Sequence, residues 1–285
     1  MPLPRLARPL LTILVTVAVA GGLLAAPTAA VTEPAAQRSD RTHFRIASFN
    51  VLAGVHTDGP SARRGFDRSG VRIHRVVKIL NRSSIDVVGF QELNKRQLRP
   101  FRKSTDRWRV FTGKRGVSEN SIAWRRDQFE FVKGWTVPVP YFHGRRQPMP
   151  VVKLRSKQAH RAIYVMNTHH PADTRGSARH WRAEATRIEQ RVTTRLSRRH
   201  HAPVFLTGDM NDREAFLCPF TRNGVMHSTY GRSHRDGRCG VPNRAPVDWI
   251  LGNRQVRFSH ARVDRSPLVN RTTDHPVVSA RVRLR

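Results

Sequence analysis

The sequence predicts a layered α/β fold in which helices cover a core of β-strands. A strand, an amphipathic helix and a second strand follow one another within about 50 residues, between positions 44 and 92, an order typical of α/β layers. Most later apolar runs are short and are separated by polar turns, as strands are. The chain of 285 residues is long enough for one large domain with a buried core, and we expect no second domain.

The predicted strands are short apolar runs. They occupy positions 44–52, 85–92, 121–125, 129–132, 151–155, 162–167, 203–208, 246–251 and 276–280. The runs at 121–125 and 129–132 flank a polar turn and predict a hairpin. The run at 151–155 is expected to pair with 162–167 across another polar turn.

Two segments have the apolar spacing of amphipathic helices. In the first, 71–80, the basic residues are expected to lie outside; in the second, 176–200, arginines form a solvated face. Between them, the Pro- and Arg-rich segment 138–150 predicts a surface loop.

The N-terminal 30 residues have the pattern of a secretory signal peptide. Arg5 and Arg8 precede an apolar core at 10–20, and small residues lead to a cleavage position after Ala30. The alternative is an uncleaved membrane anchor, although the apolar run is shorter than the ~20 residues that a span needs. Residues 31–42 follow as a flexible leader, so the sequence predicts a secreted domain covering residues 43–285.

The formal net charge is +32, a value that favours polyanionic partners such as nucleic acid or an anionic membrane surface. The basic residues are almost all Arg and are spread along the chain. This spread is equally consistent with a host that favours Arg, so charge supports a phosphate-bearing substrate without identifying it.

Cys218 and Cys239 are the two cysteines of the chain. An even number in an exported domain predicts one disulfide, which would close the loop between the strand before Asp209 and the strand at Asp248.

Polar side chains stand at the ends or starts of six of the predicted strands. These positions are Asn50, Glu92, His169, Asp209 with Asn211, Asp248, and Asp274 with His275. Each position alone is typical of a turn or a surface residue. If the chain stays extended after position 209, the period of two places Asp209 and Asn211 on one face at the strand's carboxyl end, where sites of α/β folds lie.

Taken in order, these strand ends resemble the endonuclease/exonuclease/phosphatase superfamily, which includes pancreatic-type deoxyribonucleases, apurinic endonucleases, inositol polyphosphate phosphatases and bacterial sphingomyelinases. The resemblance runs from about Phe44 to Val278. The matching pieces are Ala47-Ser48-Phe49-Asn50, Gly89-Phe90-Gln91-Glu92, Asn167-Thr168-His169, Gly208-Asp209-Met210-Asn211, Val247-Asp248-Trp249-Ile250-Leu251 and Thr273-Asp274-His275-Pro276-Val277. The resemblance implies a four-layer αββα sandwich of two packed mixed sheets flanked by helices.

The resemblance also implies metal-dependent phosphoester hydrolysis. Glu92, Asn50 and Asp274 are the expected metal ligands, and oxygen ligands suit Mg²⁺, with Mn²⁺ or Ca²⁺ as alternatives.

Asp209 and Asn211 are expected to face the attacking water and the phosphate. Asp248 would orient His275, and His169 would protonate the leaving group. Either Asp209 or His275 serves as the general base.

Secretion, positive charge and the disulfide together indicate a nuclease of low sequence selectivity acting on extracellular DNA or RNA. The alternatives are a sphingomyelinase-like phospholipid phosphodiesterase, a phosphatase of small phosphoesters such as inositol phosphates, and a non-catalytic polyanion-binding module. Trp135, Tyr141 and Phe142 are the candidates for a membrane-inserting aromatic segment. No obligate protein partner is implied.

Overall fold

Two six-stranded mixed sheets pack face to face between two layers of helices. The computed structural model describes residues 43–60, 62–113, 119–231, 233–235 and 237–285. The predicted signal peptide (1–30) and leader (31–42) lie outside these described residues. Among the described residues, no helix combines the length and the apolarity needed to cross a membrane.

The first sheet contains both ends of the described domain. Its strands are β1 (His43–Asn50), β2 (Val87–Gln91), β3 (Trp108–Phe111), β4 (Ser121–Arg125), β13 (Val256–Asp264) and β14 (Val277–Leu284). The spatial order is β13-β14-β1-β2-β4-β3. In this sheet β1 and β2 are parallel, with Asn50 beside Gln91, so their polar carboxyl ends lie next to each other.

The second sheet is built from the middle of the chain. Its strands are β5 (Phe129–Pro140), β6 (Arg146–Ser156), β7 (Ala162–His169), β8 (Val204–Asp209), β9 (Met226–Ser228) and β12 (Asp248–Asn253), in the order β5-β6-β7-β8-β12-β9. A small hairpin of β10 (His234–Arg235) and β11 (Arg238–Cys239) lies apart from both sheets.

Helices cover the outer face of each sheet. They are α1 (Ser69–Arg82), α2 (Lys95–Ser104), α3 (Arg179–His200), α4 (Glu214–Thr221) and α5 (Pro267–Asn270). One apolar cluster joins α1 and α2 to the first sheet, a second joins α3 and α4 to the other sheet, and a third fills the space between the sheets. The predicted four-layer αββα sandwich is confirmed.

The two sheets approach closely just below the polar strand ends. A Cβ atom added at Gly89 of β2 would lie 1.9 Å from Thr207 Oγ1 and 2.4 Å from Asn167 Oδ1. Asn167 also accepts from Gln91 Nε2 at 2.6 Å and donates to the Phe90 carbonyl at 2.7 Å. Any side chain at position 89 would therefore push the sheets apart beside the candidate site.

The predicted hairpin of 121–125 with 129–132 is wrong. The first run, β4, pairs with β2 and β3, whereas the second, β5, pairs with β6 in the other sheet. The polar turn between them carries the chain from one sheet to the other, because apolar alternation fixes which face of a strand is buried but does not fix its partner.

The predicted loop at 138–150 is also largely wrong, since most of it belongs to β5 and β6. Pro138 lies opposite Pro148, and Pro140 and Pro150 lie opposite Arg146 and Thr136. All four prolines occupy alternate positions of the ladder. An antiparallel pair exchanges no N–H···O bonds at every second position, so prolines spaced by two leave the pairing intact.

The predicted disulfide between Cys218 and Cys239 is confirmed. It joins α4 to β11 with a Cα–Cα distance of 5.8 Å and ties the small hairpin to the helical layer.

Candidate active site

The polar strand ends of both sheets meet around one cleft of about 660 Å³. Its lining includes Glu92, His169, Asp209, Asn211, Asp274 and His275. In the second sheet β7 and β8 are parallel, and β12 is antiparallel to β8. His169, Asp209 and Asp248 consequently stand side by side on three neighbouring strands.

Asn50 connects the two sheets within this site. Its Nδ2 donates to Glu92 Oε1 at 2.9 Å and to Asp209 Oδ2 at 3.0 Å. Its Oδ1 accepts from the Leu52 amide at 3.0 Å. The side chain is fully buried, so a single amide sets the separation between a carboxylate from each sheet.

Glu92 is held as an ionised carboxylate facing the cleft. Burial opposes its charge, but the nearby His169 and hydrogen bonds from the Ala53 amide, at 2.7 Å, and from Asn50 outweigh that effect and lower the pKa of Glu92. Its backbone has φ of 63°, a left-handed conformation that costs about 1–3 kcal/mol outside glycine and that occurs often at functional sites.

The half-buried His275 forms an ion pair with the buried Asp248. His275 Nδ1 lies 3.1 and 3.0 Å from the two carboxylate oxygens of Asp248, and its Nε2 lies 3.5 Å from Asp209 Oδ2. Burial raises the pKa of Asp248 to about 6, although the hydrogen bond from His275 acts to lower it. Burial alone would lower the pKa of His275, yet the bond to Asp248 and the charges of Asp248, Asp209 and Asp274 raise it to about 10.

His169 faces the same carboxylate from the other side. Its Nε2 lies 3.5 Å from Asp209 Oδ2, so Asp209 stands between two imidazoles. The His169 ring is buried, and its Nδ1 has no hydrogen-bond partner among the described residues.

The chain does not stay extended from Asp209 to Asn211, so the condition for placing both side chains on one strand face is not met. Asn211 adopts φ of 46°, its amide donates to Asp209 Oδ1 at 3.0 Å, and its Nδ2 donates to the His170 carbonyl at 2.8 Å. Asn211 still reaches the cleft, because this turn brings its backbone back towards the aspartate.

Asp274 lies at the edge of the cluster. Its carboxylate accepts a hydrogen bond from Arg63, which also lines the cleft. The structure therefore brings the predicted site residues together around one cleft. Asp248 is buried behind His275, and Asp274 pairs with Arg63 at the margin of the cleft.

The donor atoms of the site suit a hard divalent cation. Glu92 offers carboxylate oxygens beside the Asn50 amide. Asp209, Asp248 and His275 also offer ligand atoms that all lie within 4.8 Å of one another. Carboxylate-rich sites without thiolates fit Mg²⁺, Mn²⁺ or Ca²⁺.

Sequence reasoning missed Arg72, which lies buried beneath the site instead of on the solvated face of α1. Its guanidinium donates five hydrogen bonds of 2.7–2.9 Å. The acceptors are the carbonyls of Val51, Leu52, Asp67 and Thr272 and the hydroxyl of Thr57. Arg72 thus links the loop that follows Asn50 to the segment that precedes Asp274.

The helical period contained the signal for this position. Residue 72 falls on the same face as Ile73, Val76 and Leu80 at spacings of one, four and eight, and all three are buried. Val71, which belongs to the apolar spacing predicted for this helix, is 50% exposed and lies outside the buried face.

A two-sheet sandwich with carboxylates and imidazoles gathered where the strand ends of both sheets meet has the layout of a phosphoesterase. The sequence model of the endonuclease/exonuclease/phosphatase family matches residues 47–275. The chain therefore belongs to this family of hydrolytic, divalent-metal-dependent phosphoesterases.

Solved structures share the fold at low sequence identity. An endonuclease/exonuclease/phosphatase family protein from Bacteroides thetaiotaomicron is 17% identical with a TM-score of 0.70, covering 86% of this chain and 96% of its own. The mannosyl-6-phosphatase of the same organism is 18% identical (TM-score 0.67; 84% and 99% covered). TDP2 from D. rerio, complexed with a single-strand DNA product, is 15% identical (TM-score 0.63; 85% and 99% covered). Comparison with curated proteins gave no significant match.

Proposed function

We propose that the protein is a secreted, divalent-metal-dependent phosphodiester hydrolase that cuts extracellular nucleic acid with low sequence selectivity. The observation that carries this proposal is the combination of a carboxylate and imidazole cluster with arginines in one cleft. Arg63, Arg145, Arg146 and Arg175 line the same cleft as the acidic cluster. Acidic residues suit the metal and the water, whereas arginines on the walls suit the phosphates of a polymer.

The geometry supports the following assignment of roles. Glu92 and Asp274 would hold the metal ion, and Asn50, whose Nδ2 donates to Glu92, would keep that carboxylate in position. The ion would supply charge neutralisation at the phosphate. Because His275 carries a proton at neutral pH, we assign it to donate a hydrogen bond to a nonbridging oxygen, and Asp209 to accept the proton of the attacking water. Asp248 keeps the His275 ring oriented.

The leaving group and the water are positioned by the remaining polar residues. We assign His169, whose Nε2 lies 3.5 Å from the same Asp209 oxygen as the Nε2 of His275, to protonate the leaving oxygen. Asn211 is anchored to the Asp209 carboxylate by its own amide, so its side chain and that carboxylate form one unit facing the water and the phosphate.

A matched substrate panel tests the proposal. Single- and double-stranded DNA, RNA, sphingomyelin and inositol phosphates are incubated with Mg²⁺, with Mn²⁺ and with chelator, using wild type and Glu92→Gln. We expect cleavage of nucleic acid that requires metal and is lost in the variant. We also expect affinity for nucleic acid to fall steeply with salt. For duplex DNA, the plot of log binding constant against log salt concentration should have a slope of about −0.9 for each phosphate neutralised.

A specific observation also favours a second candidate, a small-phosphoester phosphatase, because one structural neighbour is a mannosyl-6-phosphatase. Metal-dependent turnover of phosphomonoesters without cleavage of DNA or RNA would replace the nuclease proposal with this one. Secretion is tested separately by sequencing the N-terminus of protein recovered from the culture medium, which we expect to begin after Ala30.

A further inference from the structure

The tip of the β5–β6 hairpin packs closely against helix α3. The Tyr141 amide donates to the Arg145 carbonyl at 2.8 Å, and the Gly144 amide donates to the Tyr141 carbonyl at 3.0 Å. Gly144 has φ of 73°, and a Cβ atom there would lie 2.8 Å from the Trp181 ring of α3. This close packing fixes where the two aromatic residues of the tip point.

The side chains of Tyr141 and Phe142 lie next to each other in the cleft wall, beside His169. The Tyr141 ring lies 5.9 Å from the His169 ring and 4.6 Å from the Phe142 ring, edge to face in both cases. Both side chains are half-buried and line the cleft. They therefore lie in the same cleft as the residues assigned to the phosphate, with Tyr141 against His169.

A cation completes this wall. The guanidinium of Arg175 lies 5.1 Å from the centre of the Phe142 ring, a distance typical of cation–π contact. Arg175 and Arg145 are exposed, and neither has an acidic partner among the described residues. Arg63 and Arg146 of the same cleft, in contrast, pair with Asp274 and Glu184.

We propose that Tyr141, Phe142 and Arg175 form a subsite for the unpaired nucleobase of the nucleotide next to the scissile phosphate. This inference rests on the proposed nuclease function and specifies its substrate as single-stranded nucleic acid. The base stacks on the platform of Phe142 and Arg175, while Arg145 contacts a flanking phosphate. Stacking requires a free base face, which a paired and stacked base in a duplex does not present.

The test compares Phe142→Leu with Phe131→Leu. Phe131 lies on β5, the strand that leads to the hairpin tip; it is 45% exposed and stacks on Trp124 outside the cleft, so it is a matched aromatic control. The substrates are a single-stranded oligonucleotide, the same strand with an abasic residue beside the cleaved bond, and the duplex. Thermal unfolding of each variant checks that the fold is kept.

We expect Phe142→Leu to raise KM for the single strand about tenfold, since the base loses its aromatic stacking partner, with kcat little changed. With wild type, KM for the abasic strand should exceed KM for the intact strand by about the same factor. Phe142→Leu should not raise KM for the abasic strand further. Phe131→Leu should match wild type on all substrates. Arg175→Ala, a second variant at an exposed position, should weaken single-strand binding several-fold, whereas Arg145→Ala, which removes the phosphate contact, should reduce the salt slope by about 1.

Two different failures are distinguishable. If wild type cuts single strand and duplex equally and Phe142→Leu loses nothing on the intact strand, the subsite is refuted while the nuclease proposal stands. The subsite is also refuted if Phe142→Leu raises KM by the same factor for the intact and the abasic strand. If wild type cuts no nucleic acid of any form, the nuclease proposal fails and the subsite fails with it.

Discussion

Replacing Arg72 by Met should destabilise the protein by about 3–5 kcal/mol. Without the guanidinium, the buried Thr272 carbonyl loses the Arg72 bond, which costs about 1–3 kcal/mol. The Val51 and Leu52 carbonyls each lose one bond at about 1 kcal/mol, but both keep a contact with Gln97 Nε2, at 3.4 and 3.0 Å. The sum is a large share of the roughly 5–15 kcal/mol that stabilises a typical domain.

The assay is urea unfolding followed by tryptophan fluorescence, with Arg82→Met as control. Arg82 lies on the same helix but is exposed, so the identical substitution there should change stability by less than about 0.5 kcal/mol. Under conditions where both variants are folded, Arg72→Met should also lose about 10²-fold in turnover, because displacement of the loop that supports Glu92 misplaces the reacting groups. Equal urea midpoints for the two variants would refute the reasoning.

Three further predictions concern the ion pair and the disulfide. The pKa of His275 is raised from 6.5 to about 10 in the folded state, so its stabilising contribution is complete below about pH 6.5 and is lost as pH rises towards 10. The difference in unfolding free energy between wild type and His275→Gln, measured without metal, should shrink across that interval; a constant or growing difference would contradict the assignment. Asp248→Asn should lower kcat about 10²–10⁴-fold, because the ring of His275 loses its charged partner, and unchanged kcat at saturating substrate would exclude this role. Replacing Cys218 and Cys239 by Ser should lower stability by about 3 kcal/mol, the entropic value for a bridge between residues 21 apart, and reduced wild type should unfold at the same urea concentration as the double variant.

The strand positions were predictable because polar groups end most of the apolar runs. Buried backbone in a sheet favours short apolar segments, and side chains that need solvent or a ligand must lie beyond them. Asn50, Glu92 and Asp209 followed from this rule. The predicted pairing of 151–155 with 162–167 is confirmed as β6 with β7. The pairing of 121–125 was not predictable, because the turn after β4 looks the same whether it closes a hairpin or changes sheets.

Helix α2 was not predicted because most of its residues are basic or polar and it contains Pro100. Two contacts account for it. The Asn94 side chain accepts hydrogen bonds from the Arg96 and Gln97 amides at its N-terminus, and Leu98 and Phe101 are buried in the core under the first sheet. A short helix of this kind depends on tertiary packing more than on its own propensity.

Contacts within the site were the least accessible from sequence. The pairing of Asp248 with His275 was implied by the family resemblance alone, and the bond from Asn50 to Asp209 joins residues 159 positions apart. Arg72 was misplaced because a basic residue on an amphipathic helix ordinarily faces solvent. Its burial depends on carbonyl groups that only the folded loop supplies.

The bridge made by Asn50 also has a consequence for how activity arises during folding. The first sheet contributes Glu92 and the second contributes Asp209, and neither half of the sandwich holds both. Recovery of turnover after dilution from denaturant should therefore follow the docking of the two sheets and lag behind the return of secondary structure. A fragment restricted to either sheet would be inert even if it folded.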